Sequence, residues 1–184
     1  MYSCGGPTDA FLQIYKMKVH SMKKLIVING TMGVGKTTIC KELYKSLDNA
    51  VWLDGDWCWM MNPWIVNEEN IRMVENNITY LLRSFLTNST FDYVIFNWVL
   101  HREEILDGLL DRLSDLDFQV EKVTLTCSEV ALRQRMEHDN RSTEQIALSV
   151  ERLRLYENMD TSIIDTTEMP IEEIVRRIED IIKL

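Results

Sequence analysis

Residues Gly30-Thr31-Met32-Gly33-Val34-Gly35-Lys36-Thr37 match the pattern G-x-x-x-x-G-K-[ST]. They stand between an apolar, β-branched run, Leu25-Ile26-Val27-Ile28, and a stretch with apolar residues three or four apart, Ile39, Leu43 and Leu47. No other feature constrains the chain as much. A strand that turns through glycines straight into a helix gathers backbone N–H groups around one point and aims the positive end of the helix at it. That is a cradle for a phosphate chain. The sequence has only 7 glycines, and Gly30, Gly33 and Gly35 fall in this loop, which makes a chance glycine-rich turn the weaker alternative. In the phosphate-binding reading Gly30, Met32, Gly33, Val34 and Gly35 wrap the anion with their backbone, and Lys36 neutralises the β and γ oxygens. Thr37 holds Mg²⁺ through its hydroxyl, and Thr38 reaches a phosphate oxygen.

Apolar runs of strand type recur at 50–53, 93–96, 120–126 and 162–164. Helical spacing separates them: Ile105, Leu109 and Leu113; Ile146, Val150 and Leu153; Ile171, Ile174, Ile178 and Ile181. Thr126 with Glu129, and Ser142 with Gln145, have capping-box spacing, and Pro170 suits a first helical turn. Alternating βα units predict an α/β fold of three layers, with about five parallel strands between helices on both faces. Residues 1–22 show no clear periodicity and read as an N-terminal tail, with Met17 and Met22 as plausible start sites. Residues 23–184 read as one domain.

Charge and composition narrow the function. The 29 acidic and 20 basic side chains give a net charge of −9, which argues against a polymeric nucleic acid as partner. Hydrophobic residues at 46% and charged residues at 27% are ordinary for a globular domain. Cys4, Cys40, Cys58 and Cys127 are scattered, with no C-x-x-C pair, which favours free thiols in a reducing cytoplasm over structural zinc or disulfides. The longest uncharged stretches, 25–35 and 57–67, are far short of the roughly 20 residues that span a bilayer, so no membrane association is expected.

Other signals separate the classes of nucleotide-binding protein. Neither the N-K-x-D segment nor the D-x-x-G segment of GTPases occurs. The acidic Asp-Glu pair that motor and AAA-type ATPases usually carry after a later strand is also absent, because the run 93–96 ends in Asn97-Trp98. The second strand ends in Leu53-Asp54-Gly55-Asp56, and in an open parallel sheet that edge faces the ligand crevice. Two carboxylates there can divide the work, Asp54 orienting water on Mg²⁺ and Asp56 accepting a hydrogen bond from an incoming hydroxyl. A solvent-facing Asp-Gly turn is the alternative.

The glycine loop, the Asp54-Gly55-Asp56 segment and an arginine-bearing stretch after the fourth strand together resemble the small P-loop kinases of the nucleoside-monophosphate, shikimate and gluconate kinase type. The likeness covers about residues 23–184. Leu53-Asp54-Gly55-Asp56 is similar to the corresponding segment of gluconate and adenylylsulfate kinases, and its D-x-D spacing is similar to that of shikimate kinase. The gluconate kinase segment after the third strand and the shikimate kinase glycine triplet are both missing. The resemblance implies a P-loop NTPase fold with a helical acceptor-binding region at 57–90 and a lid at 133–143. It also implies ATP and Mg²⁺ as ligands and a small-molecule acceptor.

In the lid stretch Arg133, Arg135 and Arg141 are candidates to stabilise charge on the transferred group, with Arg133 on the nucleotide; a solvated helix face with an Arg133–Glu137 pair is the alternative. Between the second and third strands the chain spends about 35 residues, more than a minimal crossover needs. Trp57, Trp59 and Trp64 fall in that stretch, and with Trp52 they make four of the chain's five tryptophans. They suit a planar or apolar ligand, or equally the packing of a helical subdomain on the sheet. Arg72 and Arg83 are candidates for an acceptor phosphate or carboxylate, although a solvated helix charge fits each as well. His101 and Arg102 lie near the same edge, where a surface helix start is the simpler reading. The expectation is a cytoplasmic phosphotransferase, monomeric or homodimeric, with Lys36, Asp56, Arg135 and Arg141 as catalytic residues and Thr37 and Asp54 on the metal. Asp56, Trp57, Trp59, Trp64 and Arg72 are expected on the acceptor. The competing expectation is a nucleotide-binding module or ATPase that phosphorylates no small molecule.

Overall fold

The computed structural model describes residues 22–183, so the expected tail, apart from Met22, lies outside the described residues. Five strands form the sheet: β1 (Lys23–Asn29), β2 (Ala50–Asp54), β3 (Tyr93–Asn97), β4 (Phe118–Thr126) and β5 (Ser162–Asp165). Their order is β2-β3-β1-β4-β5 and every pairing is parallel. All five strands read from the sequence are present. The helices are α1 (Lys36–Ser46), α2 (Glu68–Thr87), α3 (Glu103–Asp111), α4 (Glu129–His138), α5 (Thr143–Leu153) and α6 (Ile171–Lys183).

Alternation along each strand divides the core in two. Ile26, Ile28 and Ile95 point to one face, where α1 and α6 supply Ile39, Leu43, Ile174 and Ile178. Leu25, Val27, Val94 and Phe96 point to the other, where α2 and α3 supply Val74, Ile78, Leu82 and Leu109. Because a βαβ crossover is right-handed, a connection running toward one edge of the sheet lays its helix on one face, and a connection toward the other edge lays it on the opposite face. The chain leaves β1 for the β2 edge through α1 and leaves β3 for the β4 side through α3. This reversal opens a crevice at the carboxyl ends of β1 and β3, the place where such sheets bind ligands.

Local sequence sets most element limits. Ser142 accepts from the Gln145 backbone while the Gln145 side chain returns to the Ser142 N–H, so that capping box forms as its spacing predicts. The Thr126–Glu129 box does not form: Thr126 ends β4, and Ser128, one residue before the helix, takes the capping role by accepting from Ala131. Pro170 stands ahead of α6 rather than inside its first turn, with its carbonyl accepting from Glu173 and Ile174. Cys40, Cys58 and Cys127 are free thiols. Among the described residues no helix is long and apolar enough to cross a membrane.

Candidate active site

The glycine loop forms the floor of the crevice. Gly35 caps α1 at φ +107°, in the left-handed region, and no side chain caps the helix, so its first N–H groups are left for an anion. Gly33, at φ +84°, lies so close to α4 that a Cβ there would stand 2.4 Å from the Met136 Cγ. Side chains hold the loop from three directions. Asn29, the last residue of β1, accepts from the Gly30 N–H (2.8 Å) and the Leu100 N–H (2.9 Å) and donates to the Leu100 carbonyl (2.9 Å). Thr31 donates to the Ser149 carbonyl of α5 at 3.0 Å. The Val34 carbonyl accepts from Arg135 at 3.3 Å.

Lys36 is buried, and its ammonium donates to the Gly30 and Thr31 carbonyls at 2.8 and 2.9 Å. Burial pushes its pKa down to about 8, against the opposing pull of Asp56 and Asp54. Thr37 and Thr38 are exposed at the mouth of α1. Asp54 is buried at the end of β2, where one carboxylate oxygen accepts from the Thr37 hydroxyl at 2.9 Å and the other from the Asp56 N–H at 3.0 Å. Lys36, Thr37, Asp54 and Asp56 therefore converge, as the sequence pattern implies.

Asp56 lies in the first turn of the short 3-10 helix Gly55–Trp59 and is exposed to solvent. Partial loss of hydration, then the Asp54 carboxylate, raise its pKa above the ordinary carboxylate range. Lys36, a hydrogen bond from Trp98 and the field of Arg141 oppose that rise. Trp98 escaped the sequence reading, as did Asn29. The Trp98 ring lies against Gly55 so closely that a Cβ there would stand 2.6 Å from its Cγ, which explains a glycine between the two aspartates. The signal for both was positional: Asn29 directly follows the last apolar residue of β1, and Trp98 is the first residue beyond β3, both at the ligand edge.

The three lid arginines separate. Of the three, Arg141 is the one whose field is felt at Asp56, and it follows a paired turn that ends α4: the Asn140 N–H bonds to the Glu137 carbonyl and the Arg141 N–H to the Met136 carbonyl, both at 3.0 Å. Asn140 adopts φ +54°, which its short side chain tolerates, and this turns the chain out of the helix toward the crevice. Arg135 instead spans the Val34 carbonyl, the Thr166 hydroxyl (3.0 Å) and the Thr166 carbonyl (2.6 Å), joining the glycine loop to the segment after β5. Arg133 pairs with Glu129 on the exposed face of α4, not with Glu137. On the other side, Arg72 pairs with Glu68 at 3.7 Å along α2, and Arg83 forks onto Asp115 at 2.7 Å. Asn97 is buried and accepts from the Trp52 indole at 2.6 Å, so the position that would carry the acidic ATPase residue serves packing.

Beyond Arg135 lies a cleft of about 580 Å³ lined by Ser128, Asp165, Thr167 and Met169, of a size for a nucleoside. Thr37 and Asp54 offer hard oxygens suited to Mg²⁺, which binds through one or two protein oxygens together with substrate phosphates. Among the described residues no three His, Cys, Asp or Glu side chains cluster as a metal site.

A sequence family described as "AAA domain" matches residues 26–165, and the chain belongs to it. No curated protein matches the sequence. Solved structures share the fold. A gluconokinase from Sinorhizobium meliloti 1021 is 18% identical with a TM-score of 0.66, over 88% of this chain and 93% of that one. The tunicamycin resistance protein of Deinococcus radiodurans is 20% identical with a TM-score of 0.65, over 88% and 96%. A shikimate kinase from Bacteroides thetaiotaomicron is 17% identical with a TM-score of 0.60, over 89% and 100%. The fold is thus that of the P-loop small-molecule kinases.

Proposed function

We propose that this member of the AAA-domain family is an ATP-dependent kinase that transfers the γ-phosphoryl group to the hydroxyl of a small molecule. The observation that carries the reading is the division of labour at the end of β2: buried Asp54 is bonded to Thr37, while Asp56, two residues on, faces the open crevice. The loop N–H groups and Lys36 hold the β and γ phosphates, and the cleft beside Thr167 takes the nucleoside. Thr37 and Asp54 would hold Mg²⁺, whose charge offsets that of the phosphates.

Asp56 accepts the proton of the acceptor hydroxyl as its oxygen attacks the γ phosphorus, the bond to the β-phosphate oxygen breaks, and ADP leaves. A raised pKa makes Asp56 a better proton acceptor than an ordinary carboxylate, provided it is ionised at working pH. Arg141, in the turn after α4 with its field felt at Asp56, stabilises charge on the group in flight. Asn97 is engaged by Trp52, which leaves no side chain at that strand end to activate water and favours transfer over hydrolysis.

The test is ADP release with ATP and Mg²⁺, alone and with a panel of nucleosides, nucleotides, sugar acids and amino sugars. Release that depends on one acceptor, with a stoichiometric phosphorylated product by mass spectrometry, is expected. Tight ATP binding with no acceptor-dependent turnover across the panel would sink the kinase reading.

A further inference from the structure

The acceptor half of the crevice has a chemical bias of its own. All five tryptophans gather around Asp56 or on the segment that follows it: Trp52 and Trp57 have ring centroids 5.0 Å apart, Trp59 and Trp64 6.3 Å apart, and Trp98 touches Asp56. Some of this is packing, since Trp59, Met61 and Trp98 lie against the core under α2. Packing does not account for the rest. Trp57 is 52% exposed, Met60 84% and Trp64 68%, and Ile65 and Val66 are exposed beside them. Five exposed large apolar side chains within ten residues, continuous with a reactive carboxylate, form the kind of patch a soluble chain keeps for a ligand.

The charges on that side are the second observation. The sequence contains no lysine between Lys45 and Lys122. Arg72 pairs with Glu68, Arg83 with Asp115, and Arg112 with Glu75. Arg102 and Arg152 stand near enough to His101 to hold its pKa down by like charge, and neither contributes to the field at Asp56. Among the described residues, the cations whose fields reach Asp56 are Lys36 and Arg141, and the kinase reading puts both on the phosphate-donor side. A carboxylate or phosphate held beside Asp56 would thus face two carboxylates, against only those cations that the donor phosphates also need, an arrangement that disfavours binding.

We infer that the acceptor is an uncharged or cationic hydroxyl compound with a planar or apolar body, seated on the Trp57, Met60 and Trp64 patch, and that it carries no carboxylate or phosphate. This rests on the kinase reading of the same crevice. The indole faces supply contact area at low entropy cost, the ring quadrupoles tolerate a cation, and Asp56 takes the hydroxyl end.

The experiment uses two matched probe pairs, phenyl β-D-glucoside against gluconate and uridine against its 5′-monophosphate, titrated into the full chain with a non-hydrolysable ATP analogue and Mg²⁺. Tryptophan fluorescence reports binding and ADP release with ATP reports turnover. The neutral member of each pair is expected to bind at least tenfold tighter, Trp57→Ala to weaken it about tenfold, and Trp57→Phe to restore it, with circular dichroism unchanged in both variants. Equal or tighter binding of gluconate or the monophosphate, or no saturable signal from any probe, overturns the inference. So does a dimer seen by light scattering that Trp57→Ala dissolves, because a second copy of the chain would then cover the patch. Turnover of an anionic acceptor defeats the inference but leaves the kinase reading intact. Tight binding of the neutral probes with no turnover of any acceptor does the reverse.

Discussion

The two halves of the crevice follow opposite plans. On the donor side nearly every polar group is already engaged: Asn29, Thr31, Lys36, Asp54 and Arg135 all bond to backbone or to each other, and most of them are buried. On the acceptor side the segment after Asp56 is apolar and exposed, and its ring contacts are tilted pairs rather than a closed wall. In the kinase reading, rigidity sits where every nucleotide would present the same group, a polyphosphate. Adaptable aromatic and methionine surface sits where the partner's shape decides specificity.

The largest effect that could break this contrast is at Asp56. Asp56→Asn is expected to lower turnover of a hydroxyl acceptor by about 10²–10⁴-fold while ATP affinity stays within about threefold; unchanged turnover would remove Asp56 as the base. Next is Arg135→Met, which strands the Val34 and Thr166 carbonyls. A loss of about 1–3 kcal/mol in urea unfolding and weaker nucleotide binding are expected. If stability held and only turnover fell, Arg135 would belong with Arg141 on the transferred group instead of in the scaffold.

The pH dependence is smaller. Protonated Lys36 is the phosphate-binding form, and its proton leaves as the pH rises through about 8, so nucleotide affinity should fall above that pH. Calorimetry at pH 7 and 9 checks the direction, and the slope should vanish in Lys36→Ala, whose affinity is low throughout. The smallest change is expected of Arg72→Ala. With an exposed i, i+4 partner at 3.7 Å, it should move stability by no more than about 0.5 kcal/mol. It should also leave the acceptor KM within about twofold; a tenfold rise in KM would mean that the acceptor carries an anion after all.

Much of the donor side was legible before the structure. A motif of eight consecutive residues has its geometry fixed by backbone conformation alone, so Gly35, Lys36 and Thr37 fall where the pattern puts them. Asp54 and Asp56 were legible for a similar reason, since a strand end in a parallel sheet has one possible address. The arginines were not. Arg133, Arg135 and Arg141 lie within nine positions, yet one pairs along its helix, one braces the loop, and one acts on Asp56 through its field alone. Helix phase and the left-handed turn at Asn140 decide among them, and residue type carries no record of either.

The sequence by itself determined the parallel sheet, the phosphate cradle and the acidic strand end, because each depends on residues adjacent in the chain and on backbone rules that hold in any context. Only the tertiary structure decided that Asn29 staples the loop to Leu100, that Trp98 lies on Gly55 and bonds Asp56, and that Asn97 serves Trp52. Those contacts join residues from 42 to 71 positions apart, and their partners are chosen by strand order and register, which no local pattern encodes.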